Sequence, residues 1–395
     1  MNRRNFIRIV GGGIVSSATV TGLSGCALSS AFPPKALEAW AGPGAEPDLR
    51  RWALGYATLA PNSHNRQPWL VDLSTPNAIT LYVDRERMLP MTDPWFRQIV
   101  VSQGTFIESL VMALRERGVE PNVQLFPKGE FKPREVDERP VAQITWTQTT
   151  APATKDPLFA QLLKRHTAKV DYDTTRTVSA NTLATLQTAL VDPTINYGGT
   201  LDVAQIEALR KLCWQSAKVE LLTARTVMES IKLTRVGPDE ILQHRDGISV
   251  NAMVPRLAAM VGAFDRSNPP AEGSTAYKQM MSRFEGHSNT AMGFVWLSTP
   301  TARHVPNGTT RSAEVNAGRA YLRLQLKATE LGLQIHPMSQ APQEFAEMKP
   351  FYDELHQRLL GKPATQETVQ MFCRIGYCAP QQHTPRRAVP GFVMA

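Results

Sequence analysis

Two stretches of helical periodicity, each longer than twenty residues, most constrain how this chain can fold. The first, "DPWFRQIVVSQGTFIESLVMALRERG" at 93–118, puts Val100, Ile107, Leu110, Val111 and Leu114 on one face and ends at Gly118, a natural C-cap. The second, "TRSAEVNAGRAYLRLQLKATELGL" at 310–333, lines up Ala317, Ala320, Tyr321, Leu324 and Leu331 around Gly318, a pattern that predicts tight packing. Helices of that length need sheets or partner helices to cover them. Strand-like runs are few: "AITLYVD" at 78–84, "NVQLF", "VAQITW", "TAMGFVWLST" at 290–299, "LQIHPMSQ" and "VQMFCRIGYC". The class is therefore α+β.

Shorter helices are predicted at 48–60, stopping at Pro61, and over "ANTLATLQTALVD", "AQIEALRKLCWQSAKVELLTARTVMESIKL" and "PQEFAEMKPFYDELHQRLLG". "DPLFAQLLKRHTAKVDYD" reads as a second helix-to-turn unit after a break at 150–156. The stretch 236–290, with Gly and Pro throughout and two Met clusters, reads as an irregular, lid-like excursion.

The N-terminus has the form of an export signal. Arg3, Arg4 and Arg8 precede an apolar, Gly-rich run to about Leu23, too short for a good transmembrane anchor. The consecutive arginines followed by Phe6 and Ile7 resemble a twin-arginine signal; an ordinary secretory signal with a chance Arg pair is the alternative. "LSGC" resembles a lipobox that would place a lipid on Cys26, against ordinary cleavage after "SSA" at Ala31. The expected organisation is a signal over 1–25, an Ala/Pro/Gly-rich tether over 26–47, and units at 48–150 and 151–390. The expected location is the periplasm or cell envelope, with membrane contact only through the lipid.

Removing residues 1–25 takes away three arginines and no acids, and the formal charge falls from +8 to +5. That excess is mild, without a Lys/Arg run of the kind that marks a nucleic-acid surface. Four cysteines make no disulfide framework. Cys373, Cys378 and His383 are spaced five apart, but no second close pair completes a metal site, so buried free thiols are expected.

Four places could contribute to one site. In "APNSHNRQPW", 60–69, Asn62, Ser63, Asn65 and Gln67 lie between Pro61 and Pro68, with Trp69 beneath. A carboxamide donates and accepts at once, which suits a heterocycle edge, while a self-bonded turn over a buried Trp explains the same residues. In "KRHTAKVDYD", Arg165, Thr167 and Lys169 alternate, so an extended chain points them to one side as a phosphate grip; a solvated basic loop is the alternative. In "LGLQIHPMSQ", Pro337, Met338 and Ser339 follow a helix end and could lie along a flat ring, or form an ordinary connection. In "HTPRRAVPG", Arg386 and Arg387 offer a bidentate phosphate contact or a basic tail.

Taken together these stretches resemble the nitroreductase family of flavoproteins. "APNSHNRQPW" is similar to its "APS-x-x-N-x-QPW" signature, in the "HN-x-QPW" form of the Acg-like branch. "RHTAK", "NAGRAYLRLQLKATELGLQIHP", "RIGYCAPQQHTPRR" and the opening "LPMTDPWFRQIVVSQGTFIESL" resemble further segments of that branch, over roughly 48–390. The resemblance implies a nitroreductase-like fold with a mixed or antiparallel sheet flanked by long helices, in two diverged halves that form a pseudo-dimer within one chain.

It also implies FMN. Asn65 and its neighbours would meet the ring, Pro337 to Ser339 would line it, Arg165, Thr167 and Lys169 would hold the phosphate or the ribityl chain, and Arg386 or Arg387 would close on the phosphate. The family's serine is Asn62 here, and Lys169 replaces an arginine. The implied activity is two-electron reduction of nitro or quinone-like acceptors, with no catalytic side chain named. The partners would be a small-molecule acceptor and an unidentified donor, in a monomer or homodimer. NAD(P)H is not expected outside the cytoplasm, so a second reading is an FMN-binding storage, sequestration or sensing protein without turnover. A cofactor-free scaffold is the third.

Overall fold

The computed structural model describes residues 30–147, 153–262, 264–300 and 310–394. The signal at 1–25 and Cys26 lie outside the described residues.

The chain opens with two 3-10 turns, Pro34–Ala36 and Glu38–Ala41. Helix α1, Leu49–Ala57, is capped by Asp48, whose carboxylate accepts from the amides of Arg50 and Arg51. Strands β1 (Trp69–Asp72) and β2 (Ala78–Val83) follow, then helix α2 (Arg97–Glu116) and strands β3 (Asn122–Leu125) and β4 (Ala142–Thr145). These four strands form an antiparallel sheet in the order β1-β2-β4-β3. Next come α3 (Ala180–Gln187), β5 (Asn196–Thr200), α4 (Val203–Leu222), α5 (Ala224–Lys232), β6 (Thr234–Val236), α6 (Gly237–His244), β7 (Ile248–Val250), α7 (Met253–Met260) and α8 (Thr275–Asn289). The chain closes with β8 (Gly293–Pro300), α9 (Arg311–Glu330), β9 (Gln334–Pro337), α10 (Lys349–Leu360) and β10 (Glu367–Gly376). A second antiparallel sheet runs β5-β8-β10-β9, and β6 pairs in parallel with β7.

The two sheets are covered differently, and the sequence carries that difference. In β1 and β4 buried and half-buried residues alternate, because the core with α1 and α2 lies on one face. In β8 every residue but the last is buried. One side of this sheet packs with α9 through Val295, Leu297 and Ile375, and the other with α4 and α10 through Phe294, Phe372 and Val369. β5 escapes a sequence reading because the two glycines and the asparagine of "NYGGT" outweigh its Tyr and Thr. Gly198 is there because the Trp296 ring lies over it, and a Cβ would come within 2.2 Å of the indole.

α2 and α9 hold the sheets together. A Cβ on Gly104 would sit 1.9 Å from the Val315 carbonyl oxygen, and one on Gly318 would sit 2.0 Å from that of Val101. The helices thus touch backbone to backbone, which only glycine permits at both positions. Because α9 covers one side and the first sheet another, α2 is buried around nearly its whole circumference rather than on one face. Glu108 of α2 accepts from Arg319 and Arg323 of α9, at 2.9 Å each. α2 also begins later than its periodicity suggests. Phe96 takes φ +58°, and Asp93 turns back to cap the amides of Gln98 and Ile99.

Two further expectations are revised. The segment 157–166 forms only a 3-10 turn, Pro157–Gln161, with Asp156 as its cap. The stretch 236–290 is not irregular, since it contains α6, α7, α8 and β7. The end of the chain returns to the first sheet: Phe392 packs in its core, and Val393 bridges Val71 in parallel.

The helix crossing yields a prediction. Gly104→Ala and Gly318→Ala each lower the unfolding free energy by about 3 kcal/mol in denaturant titrations, because a backbone carbonyl cannot move aside. Gly391→Ala, with nothing within 4 Å of the added Cβ, changes it by less than about 0.5 kcal/mol.

Candidate functional site

The amide-rich turn between α1 and β1 is held in a conformation few residues adopt. His64, Asn65 and Gln67 have φ of 48°, 51° and 51°, in the left-handed region. Such backbone persists only where surrounding bonds enforce it. Asn62 serves the turn itself: its Nδ2 donates to the Ala60 carbonyl (3.0 Å) and its Oδ1 accepts from the Gln67 amide (2.7 Å). Ser63 Oγ donates to Gln98 Oε1 on α2 (2.8 Å). The other two amides reach out. Asn65 Nδ2 donates to the Pro385 carbonyl (3.0 Å), and Gln67 Nε2 donates to the Arg245 carbonyl (2.8 Å) while its Oε1 accepts from the Arg387 amide (2.7 Å). The self-bonded turn therefore describes Asn62 fully and Gln67 in part, since Gln67 Nε2 also donates to the Asn65 carbonyl (3.3 Å), but not the Asn65 side chain. Trp69, fully buried, packs between Phe106 and Phe392.

Arg165 and Arg386, 221 positions apart in the sequence, meet at this turn. Arg386 donates to Asn65 Oδ1 and to Thr384 Oγ1, both at 2.6 Å. Arg165 donates to Gln325 Oε1 (3.0 Å) and to the Leu59 carbonyl (2.8 Å), and Arg386 reaches the same carbonyl at 3.4 Å. The two are only 2% and 3% exposed, and neither ion-pairs with a carboxylate among the described residues. Both Nε groups are buried without a partner, as is His166 Nε2 beside them. Burial pulls the Arg165 guanidinium down to about 10, and burial with the charge of Arg165 pulls Arg386 well below its ordinary value. Two buried like charges without a counter-ion are costly, and an anion between them removes that cost.

The nearby arginines differ. Asp246, itself buried, accepts from Arg66 (2.9 Å), Arg87 (2.7 Å) and Arg235 (3.0 Å). Arg387 turns away from Arg386 and points to Asp84 (3.4 Å) and the Gln67 carbonyl (3.2 Å). Of the two adjacent arginines, only Arg386 joins the uncompensated pair. Neither is a solvated tail.

The site continues along 167–169. Gln325 Nε2 donates to Thr167 Oγ1 (3.0 Å), so one glutamine orients both Arg165 and Thr167. Arg374, fully buried in β10, donates to the Val170 carbonyl (2.7 Å), the His287 carbonyl (2.7 Å) and His336 Nδ1 (3.0 Å). It pins 168–170 against β9. Lys169 stays open to solvent, but the protein walls around it and Arg283 lower its ammonium to about 8. Its charge also reaches His64 and His336, and burial is the main reason both imidazoles are held neutral. Lys169 thus links the turn to the β9 end. There Pro337 and Ser339 are half-buried, whereas Met338 packs in the core with Phe372, so of the three it is the one turned away from the surface.

His64, Gln325, His336, Arg374 and Glu220 join this arrangement without having been singled out in the sequence. Glu220 of α4 accepts from Gln343 Nε2 at 2.7 Å. Burial raises its carboxyl to about 7, although Lys169 favours the charged form. One signal was available: a lone Glu among the apolar positions of α4. Among the described residues no group of His, Cys, Asp or Glu is arranged to hold a metal, and Cys213, Cys373 and Cys378 are free thiols.

Glu220 gives a pH prediction. A carboxyl whose folded pKa is raised from 4.5 to about 7 contributes stability below pH 4.5, which is lost as pH rises through 7. The stability of Glu220→Gln relative to the parent therefore rises between pH 5 and 8, by on the order of 3 kcal/mol at most, in denaturant titrations.

No family model matches the chain. Among curated proteins it is similar to a Mycobacterium tuberculosis protein named "Putative NAD(P)H nitroreductase Rv3131", 24% identical over 379 residues, covering 94% of this chain and 95% of the relative. An 80-residue segment is 30% identical to "Putative NAD(P)H nitroreductase acg" of the same species, covering 20% of this chain and 24% of that one. Among solved structures, the FMN-dependent nitroreductase NfnB from Mycobacterium smegmatis in complex with NADPH is 16% identical, with 59% of this chain and 94% of that chain covered and a TM-score of 0.34. Iodotyrosine deiodinase bound to FMN and 3-iodo-L-tyrosine is 14% identical, with 59% and 96% covered and a TM-score of 0.33. At such scores a superposition does not place individual residues. The likeness to nitroreductases rests on the sequence relatives, above all the one matched over nearly the whole chain.

Proposed function

We propose that this chain is an exported FMN-dependent oxidoreductase of the nitroreductase type that reduces nitro or quinone-like acceptors by two electrons. The observation that carries the reading is the carboxylate-free pair Arg165 and Arg386 beside Asn65. A phosphate monoester fits it: two buried guanidiniums supply charge-assisted donors, and their unpartnered Nε groups remain to be used. Thr167 adds a hydroxyl next to the pair. The long, similar relatives are nitroreductases by name.

In this reading FMN, when bound, supplies the hydride chemistry. Arg165, Arg386 and Thr167 hold its phosphate. Asn65, pre-set by its bonds to Pro385 and Arg386, presents an amide to the ring edge, and Pro337 and Ser339 stand at the β9 side. Lys169 gives this region a positive potential that favours a negative charge there. The neutral imidazoles of His64 and His336 leave that potential to Lys169 and Arg283. The two sheets would be diverged halves of one pseudo-dimer, with the site where they meet. Export by a twin-arginine signal, with lipidation at Cys26, belongs to the same proposal and rests on residues 1–26 alone.

Storage or sequestration of FMN without turnover is the second reading, favoured by the near-complete burial of both arginines. Addition of a nitroaromatic to the dithionite-reduced holoprotein separates the two. Reoxidation at a rate that rises with acceptor concentration supports the enzyme, and indifference to the acceptor supports storage.

The phosphate assignment predicts a selective loss. Arg165→Ala and Arg386→Ala each weaken FMN binding by about 10- to 100-fold in fluorescence titrations, with little change for riboflavin, which lacks the phosphate. Arg387→Ala leaves FMN affinity within about threefold. Equal losses for FMN and riboflavin would contradict the assignment.

A further inference from the structure

The segment expected to be a loose tether is packed against the anion end of the site. Ala36 is fully buried, and its carbonyl accepts from the Arg386 amide at 3.3 Å. The Phe32 amide donates to Gln382 Oε1 (3.1 Å), Asn251 Nδ2 donates to the Ala31 carbonyl (2.5 Å), and Glu38 pairs with Arg245 (2.6 Å). Trp40 is the centre of these contacts. Its indole is 8% exposed, donates from Nε1 to the Thr384 carbonyl (2.8 Å), and stacks on His383 with ring centroids 3.9 Å apart and planes 5° from parallel. The guanidinium carbons of Arg165 and Arg386 lie 5.4 and 5.1 Å from its ring centroid. One indole therefore stands beside both uncompensated cations.

We propose that residues 30–41 form a strap that shuts the guanidinium pocket over a bound phosphate monoester, with Trp40 as the residue that retains it. This rests on the FMN reading above and adds to it a retention device outside the turn, the 165–169 segment and the arginine pair. Several observations support it. Cation–π contact offsets part of the repulsion between the two arginines while leaving their N–H groups to an anion. Pro33 and Pro34 limit the freedom of the strap, so holding it in place costs less entropy. Its bonds run to 382–386 and to 245–251, the segments that also position Asn65 and Gln67, so the strap and the turn brace each other. The chemistry selects a phosphate-bearing ligand, because what the strap covers is the cation pair.

The test is the release rate of flavin from the loaded full chain, followed by the rise of free-flavin fluorescence after large dilution into flavin-free buffer. Trp40→Ala should speed FMN release at least tenfold. Glu38→Lys, a change at an exposed position that reverses the Arg245 contact, should speed it about twofold or more without touching the pocket. Riboflavin release should not change in either variant. FMN release that matches the parent in both variants overturns the strap and leaves FMN binding standing. Equal acceleration of FMN and riboflavin makes Trp40 a general structural residue and also overturns it. A full chain that takes up no FMN overturns the strap together with the reading beneath it.

Discussion

The backbone contact between α2 and α9 at Gly104 and Gly318 decides where everything else can be. Side chains at either position would push the helices apart, and with them the two sheets they carry. The turn of Asn65 lies against the start of α2, where Ser63 bonds to Gln98 and Ser102. Gln325 on α9 orients Arg165 and Thr167. The separation of these groups is therefore set by a contact that contains no functional side chain. The ion pairs of Glu108 with Arg319 and Arg323 fix the rotation of one helix against the other, and their burial makes loss of either partner expensive.

A second principle governs the charges. The protein is rich in arginine. Among the buried ones Arg66 is answered by Asp246, Arg97 by Glu344, Arg311 by Glu314 and Arg323 by Glu108 and Asp156, and Asp246 also takes the half-buried Arg87 and Arg235. Arg374 has no carboxylate partner among the described residues, but carbonyls, Thr290 and His336 engage all three of its nitrogens. Arg165 and Arg386 are answered by carbonyls, amides and an indole. Their neighbours show that the fold can place a carboxylate beside a guanidinium when stability requires it. Leaving these two without one stores an unfavourable charge that an anion relieves, which is the physical content of the phosphate reading.

How much of this was legible in the sequence varies with the kind of signal. The first sheet shows in the alternation of "AITLYV", and the second in the unbroken apolar run of "GFVWL", because one is covered on one face and the other on both. β5 hides in "NYGGT", whose glycine answers to a tryptophan about a hundred residues away. The site was visible chiefly through resemblance. By residue chemistry alone Asn65 reads as well for a self-bonded turn, and only Pro385 and Arg386, at the far end of the chain, make it otherwise. Arg386 and Arg387 are indistinguishable in sequence, and they separate in the fold because Asp84 is within reach of one and not the other. Trp40 was overlooked for the opposite reason. Its Ala/Pro/Gly surroundings have the composition of a linker, and its order comes wholly from tertiary contacts with Thr384, His383 and the arginine pair. A large aromatic in such a segment was the one signal on offer.

The account stands or falls on flavin. The most direct measurement is the visible absorption spectrum of the purified chain after incubation with FMN and removal of the free cofactor. It predicts stoichiometric flavin bands, shifted from those of free FMN by an enclosed site, and their loss on adding dithionite. A colourless chain that cannot be loaded with FMN under any folding condition would contradict it, and would leave Arg165 and Arg386 a buried like-charge pair without a purpose.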